Sequence, residues 1–408
     1  MVEAHDLTES FAVRSEQELL DRNAIFKDFF EVHAGELAAA CHEMARRFLA
    51  GGRLLSFGQG AAATDVQHVT VEFIHPVIVG KRALPALDLG PNFETSLPVL
   101  LQAQDMVMGF AFAGADPAVE RALRAAHERG ALCFALGGDL PSPLATGGLG
   151  KQLAYSFPLP AGDPFICQEI FEVLYHLLWE TVHVYFEHRE QGHDVGASSF
   201  LYPFLGKREQ PLESVVEDVR RSMLQKVEEV NTMRTAAART ESRAIADTAT
   251  AIVQRVRQGG KIIAFGNGGS ATDANDFVID CVAPPAGFRP IPAISLAAEP
   301  ANITAIANDI GSEAIFLRQL IAHAQAGDVA VCISTSGGSA NLLSALAEAR
   351  KLGLLTVALV GYDGGRIVSE RLVDHALVVQ SDYVPRIQEV QASMYHVLRR
   401  RIHDCLLT

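Results

Sequence analysis

The chain is short of positive charge: 34 lysines and arginines stand against 48 aspartates and glutamates, a formal net charge of −14. Such a field repels polyanions, so a protein that grips a nucleic-acid backbone is not expected. There is no GxxxxGK[ST] string, which sets aside a P-loop ATPase. FGNGGS at 265–270 lacks the spacing and later acidic ribose contact of a dinucleotide fingerprint. Cys41, Cys133, Cys167, Cys281, Cys332 and Cys405 are scattered without metal-ligand spacing and read as small buried apolar side chains. Long apolar runs are absent too, the stretch 81–103 being broken by Lys81, Arg82, Asp88, Pro91 and Glu94, so no membrane span is expected. No early stretch joins a basic segment, an apolar core and a cleavage site; a cytoplasmic location without a secretory signal is the expectation.

What the sequence does have is size and repetition. Its 408 residues, 49% hydrophobic and 20% charged, suit a packed globular protein of two domains. Residues 50–73 read AGGRLLSFGQGAAATDVQHVTVEF and residues 258–281 read QGGKIIAFGNGGSATDANDFVIDC. Both share a GG-basic-apolar-apolar start, a Phe-Gly-x-Gly centre and an Ala-Thr-Asp continuation. Later in each half, Gln168-Glu169 followed by His176 is echoed by Gln388-Glu389 followed by His396. Two matches in the same order imply duplication. Each half opens on a helical stretch, 18–49 and 212–257, followed by an apolar strand, Leu54–Phe57 and Ile262–Phe265. Further apolar segments, Met106–Phe112, Leu132–Leu136, Val329–Ile333 and Leu355–Leu359, alternate with helical ones such as Pro117–Glu128 and Asn341–Lys351. Each half closes on a long helix, 165–188 and 386–405. Unbroken apolar strands between helices imply an α/β fold with parallel sheets covered on both faces. The expected layout is 1–188, a linker over 189–212, and 213–408.

The second half carries a phosphate signal. Val329–Asn341 reads VAVCISTSGGSAN, a buried strand running into Ser334, Thr335, Ser336, Gly337, Gly338 and Ser339. Hydroxyls offer neutral donors to phosphoryl oxygens, glycines allow close backbone approach, and Ser339 is placed to cap the next helix, whose N-terminus favours anions. Asn267, Gly268 and Ser270 form a second polar turn after a strand. The matching residues of the first half are Ala111, Phe112, Ala113, Gly114, Ala115 and Asp116, and Gln59, Ala61 and Ala62, so the hydroxyls are gone there.

The first half carries the stronger metal and acid–base signal. His68 and Glu72, four apart, share one helix face, as nearly do Gln168 and His176, eight apart. Imidazoles, a carboxylate and an amide oxygen suit a borderline ion such as zinc. The counterparts are Asp276, Asp280, Gln388 and His396; a carboxylate one methylene shorter retracts by roughly 1 Å, enough to cost on the order of 10²-fold in rate.

Through FGNGGSATDANDF, AIANDIGSEAIF, GDVAVCISTSGGSANLLSALAEARKLGLLTVALVGYDGG and RIQEVQASMYH the second half resembles the sugar isomerase (SIS) domain, specifically the phosphoheptose isomerase family. The first half resembles a divergent copy. The resemblance implies two tandem flavodoxin-like three-layer αβα domains. It also implies a phosphate site on Ser334, Thr335, Ser336 and Ser339 with Asn267 and Ser270, and further substrate contacts from Asp309 and Gln388. It places a divalent metal, zinc above all, on His68, Glu72, Gln168 and His176. Catalytic acid–base roles fall on Glu72 and His176 or on Asp280 and His396. The implied reaction is aldose–ketose isomerisation of a phosphorylated sugar, sedoheptulose 7-phosphate, through an enediol. The complementary loss of parts in the two copies, rather than the resemblance, motivates the expectation of a pocket composed from both halves. A homodimer would reproduce the family's tetramer of single domains. Pro385 stands where the family has an acidic residue, and Asp276 and Asp280 depart from its pattern. Another phosphosugar-processing enzyme, or a non-catalytic phosphosugar sensor or protein-binding scaffold, are the alternatives.

Overall fold

In the computed structural model, residues 2–76, 81–112, 116–137, 154–160, 162–190 and 212–408 are described. The expected linker lies almost wholly outside them, as do Ala113, Gly114 and Ala115.

The first half runs α1 (Val2–Leu49), β1 (Leu54–Gly58), α2 (Ala62–Ile74), β2 (Ala86–Asp88), α3 (Phe93–Leu100), β3 (Met106–Phe110), α4 (Pro117–Glu128), β4 (Leu132–Leu136), β5 (Ala154–Phe157) and α5 (Pro164–Glu190). The second runs α6 (Leu212–Arg257), β6 (Ile262–Gly266), α7 (Gly269–Val282), β7 (Ala293–Ser295), α8 (Pro300–Asp309), α9 (Ile315–His323), β8 (Val329–Ser334), α10 (Ala340–Lys351), β9 (Leu355–Gly361), α11 (Gly365–Ser369), β10 (His375–Val379) and α12 (Val384–Leu407). Each half forms a five-stranded parallel sheet, of order β2-β1-β3-β4-β5 and β7-β6-β8-β9-β10, which is one topology written twice.

The unbroken apolar strands follow from burial on both faces. Along β6, Ile262 and Ala264 enter one core while Ile263 and Phe265 enter the other, as the two-residue period of a strand requires. The first core also takes α6, α7 and α12, the second α9, α10 and α11. In the first half, Met106, Met108 and Phe110 of β3 pack with α1, α2 and α5, and Val107 packs with α3 and α4. Each sheet is thus the middle of three layers. All six cysteines are buried and unpaired, and among the described residues no helix is long and apolar enough to cross a membrane.

The compact units do not follow chain order. One comprises Met1–Asn23 with Val230–Thr408, the other Ala24–Glu229, so α1 and α6 each contribute to both. In the first unit, Phe11, Ala12 and Leu19 of α1 join the core with Val230, Ala237 and Ile245. There Asn23 donates to Thr235 Oγ1 at 2.8 Å, and Arg401 pairs with Glu18. In the other unit Val215, Val219, Met223 and Val227 of α6 pack with Phe26, Phe30 and Leu37 of α1.

Candidate active site

In the first half, α2 follows β1 through the Phe-Gly-x-Gly turn and packs against α5, bringing His68, Glu72 and His176 together. All three are buried, and one donor atom from each lies within 4.8 Å of the others. His68 Nε2 is 3.7 Å from Glu72 Oε1, and the His68 and His176 rings meet edge to face at 5.3 Å. Burial, and His176 beside it, hold His68 well below its ordinary pKa. The imidazole is therefore neutral, and its contact with Glu72 is polar rather than ionic. Gln168, two turns before His176 on α5, donates from Nε2 to Thr64 Oγ1 at 3.4 Å, tying the same two helices. Two imidazoles, of which His68 is held neutral, and one carboxylate, buried together, fit a borderline divalent ion such as zinc.

The second half repeats the arrangement with α7 and α12. His396 Nε2 lies 3.4 Å from both Asp276 Oδ2 and Asp280 Oδ2. Tyr395 donates to Asp276 Oδ2 at 2.8 Å, and the ring of its counterpart Tyr175 lies tilted against the His68 ring with centroids 5.0 Å apart. Asp280 is pushed up to about 6, first by burial and then by the neighbouring Asp276 charge, against the pull of His396. This oxygen-rich set fits a harder cation than the first. Gln388 is buried one turn into α12, whose first turn holds Pro385 with the fixed helical φ that proline favours there.

The phosphate-type loop sits between the end of β8 and the start of α10. Ser334 closes the strand and its Oγ accepts from Gly337 N at 3.1 Å, which bends the chain back on itself. Thr335 is half-buried and Ser336 exposed, with Ser336 Oγ accepting from Gly338 N at 3.4 Å. Gly337 has φ +60°, and a Cβ there would meet Gly364 O at 2.3 Å, so only glycine fits. Ser339 does occupy the N-cap of α10, but its side chain makes no capping hydrogen bond. The capping role expected of that hydroxyl is not used, because its backbone carbonyl alone receives Leu342 and Leu343 N–H. In the first half the equivalent Asp116 caps α4, its Oδ1 accepting from Ala118 N at 2.9 Å and Val119 N at 3.3 Å. That carboxylate fills the helix N-terminus where an anion would bind; α10 has no such internal occupant.

The second polar turn reaches the loop. Asn267 and Asn341 exchange reciprocal amide hydrogen bonds of 3.0 and 2.8 Å, joining the end of β6 to the start of α10. Ser270 is buried in the first turn of α7 beneath Gly266, whose Cβ would meet the Ser270 carbonyl at 2.3 Å. Asp309 is exposed at the end of α8, where its Oδ1 accepts from Asn308 at 2.8 Å.

Sequence reasoning passed over Asn341, Tyr395 and Gln391. Gln391 is buried on α12 and donates from Nε2 to Ser334 O at 3.1 Å. The available signal was spacing, since Gln391 is one helical turn beyond Gln388 and Asn341 opens the helix after the loop.

Residues 227–361 match the family model described as SIS domain. A phosphoheptose isomerase of Geobacter sp. (strain M21) is 46% identical over 158 residues, 38% of this chain and 81% of that protein. One of Thermodesulfovibrio yellowstonii is 40% identical over 163 residues, 40% of this chain and 80% of that protein. Among solved structures, the C-terminal domain of glucosamine-fructose-6-phosphate aminotransferase from Francisella tularensis aligns with a TM-score of 0.59, covering 95% of this chain and 94% of its own, at 9% identity. Tagatose-6-phosphate ketose/aldose isomerase from Escherichia coli aligns with a TM-score of 0.51, covering 96% and 93%, at 12% identity. At such identities those two likenesses are of fold, and they extend over both halves. With the sequence relatives covered over four-fifths of their length, the chain belongs to the phosphoheptose isomerase family of SIS-domain proteins.

Proposed function

We propose that the protein interconverts the aldose and ketose forms of a phosphorylated sugar, with sedoheptulose 7-phosphate as the ketose. The observation that carries this reading is the pairing of two features: an anion-ready Ser/Thr loop, and buried histidine–carboxylate clusters of the kind that move protons. The loop Ser334–Ser339 would take the phosphate, with Asn267 and Ser270 shaping its floor, and Gln388 and Asp309 as further substrate contacts. Anchoring that distal group restricts the carbonyl carbons to reacting geometry. Glu72 would then remove a proton from C1 of the open-chain ketose, giving an enediol, and return it to C2. His176 would relay a proton from the C1 hydroxyl to the C2 oxygen, and beforehand assist ring opening. Asp280 and His396 are the counterpart pair, with the shorter carboxylate. When bound by His68, Glu72, His176 and Gln168, a divalent ion, zinc by donor type, supplies Lewis-acid polarisation of the substrate carbonyl.

The first copy lacks the loop hydroxyls and the second lacks the histidine–glutamate pair, so the anion-binding and acid–base groups are unequally divided between the copies. Two chains would supply the four SIS copies of the family's tetramer. Ser336→Ala tests the loop's role. Removing one hydroxyl donor to a charged phosphate should raise KM for the sugar phosphate about tenfold and leave kcat within about threefold. A fall in kcat with unchanged KM would place Ser336 at the chemistry instead and contradict this assignment. The altered Asp276 and Asp280 favour a second reading, a phosphosugar-binding regulator, which tight binding without turnover would support.

A further inference from the structure

We infer that Gln391 is a positioning residue for the phosphate loop, holding its backbone in an anion-accepting conformation; this rests on reading Ser334–Ser339 as a phosphate cradle. A backbone anion site needs N–H groups facing the ligand and carbonyl oxygens turned away, since inward carbonyls repel phosphate. Three loop carbonyls are held by donors from other elements. Thr335 O accepts from Gly361 N at 2.9 Å and Gly337 O from Ile367 N at 3.0 Å, both main-chain contacts. The third, Ser334 O, is held by a side chain, the Gln391 amide, at 3.1 Å. Gln391 is fully buried, and its own Oε1 has no hydrogen-bond partner. An amide half-satisfied in the core is costlier than an apolar side chain, so the bond to Ser334 O is what its presence secures.

The first copy supplies an internal control. The spacing that aligns Gln168 with Gln388 sets Phe171 against Gln391. Phe171 packs on Phe110 and Phe112, with ring centroids 5.4 and 5.1 Å away, at the end of the strand where the loop hydroxyls are missing. The amide and the hydroxyls have been lost together, and an aromatic contact fills the space. Gln391 also lies on the helix that carries Gln388 and His396, so it couples that helix to the loop.

The test compares full-length wild type with Gln391→Leu, Gln391→Met and Gln391→His, titrating each with inorganic phosphate by calorimetry and measuring kcat and KM. Leu and Met remove the N–H donor at similar volume, whereas His keeps one. Loss of one positioned hydrogen bond should weaken phosphate binding about tenfold in Leu and Met, raise KM similarly, and leave kcat within about twofold. His should recover most of the affinity. Two donor-lacking substitutions keep the test decisive if one fails to fold. Wild-type phosphate affinity in a folded Leu or Met variant would overturn the inference. Weakened phosphate binding in a protein that leaves sedoheptulose 7-phosphate unchanged would sink the isomerase reading and leave the positioning role standing.

Discussion

Replacing Glu72 by glutamine is expected to lower kcat for sugar-phosphate isomerisation by about 10²- to 10⁴-fold, the usual worth of a positioned general base. The substitution keeps volume and hydrogen-bonding atoms but removes the carboxylate that would carry the carbon-bound proton. Glu72 is buried on α2 beside His68 and opposite His176, so no bulk water replaces it. Glu72→Asp separates distance from chemistry. It retains the base but retracts it by roughly 1 Å, and should cost on the order of 10²-fold. Asp280 already has that shorter side chain, and Asp280→Asn should therefore change kcat by less than about tenfold. Equal losses from Glu72→Gln and Asp280→Asn, measured at saturating substrate with metal content checked, would contradict the assignment of the main acid–base role to the first copy.

The second large effect is expected at Gly337. Alanine there must adopt φ +60°, at about 1–2 kcal/mol, and its Cβ would lie 2.3 Å from Gly364 O. That atom belongs to the backbone of a turn, itself pinned by Gly364 N to Gly361 O, so it cannot step aside cheaply. Either the loop or the 361–365 turn has to move by an ångström-scale distance. Phosphate affinity should fall about 100-fold, since displacement of this size disables a positioned site. Overpacking adds roughly 1–3 kcal/mol of destabilisation. Calorimetric phosphate titration and thermal unfolding read the two effects separately. An alanine variant with unchanged phosphate affinity would show that the loop does not hold the anion.

The repeat was legible because each copy kept side chains at matching positions, Phe57 with Phe265, Asp65 with Asp273 and His176 with His396. The central strands were legible because burial on both faces makes β1, β3, β6 and β8 predominantly apolar runs, with Ser56 a polar residue within β1 and Ser334 closing β8. The short edge strands were not: β7 is half-exposed along its length and offers no such run. Nor was the full length of α1, whose first part is fixed by its packing on residues beyond Val230. The spacing difference between the copies has a visible source. The β7–β8 connection holds α8 and α9, whereas the β2–β3 connection holds α3 after a single 3-10 turn. Candidate ligands His68, Glu72 and His176 could be named from helical periodicity, since i and i+4 share a face whatever the fold. Gln391 and Asn341 carry only the weaker signal of spacing, because the groups they bind, Ser334 O and the Asn267 amide, arrive from distant segments. Ser339 marks the same limit. Its position as N-cap followed from the sequence, but whether its hydroxyl would serve the helix depended on side-chain geometry.

The central claim is that this chain moves a proton between adjacent carbons of a phosphorylated sugar. Purified full-length protein supplied with zinc and sedoheptulose 7-phosphate in D₂O tests it most directly, with products followed by NMR. An enediol route in which the carboxylate exchanges with solvent predicts an aldose 7-phosphate carrying deuterium at C2, with exchange at C1 of the remaining ketose. Recovery of undeuterated sedoheptulose 7-phosphate with no aldose 7-phosphate formed, under conditions where the protein demonstrably binds it, would contradict the account.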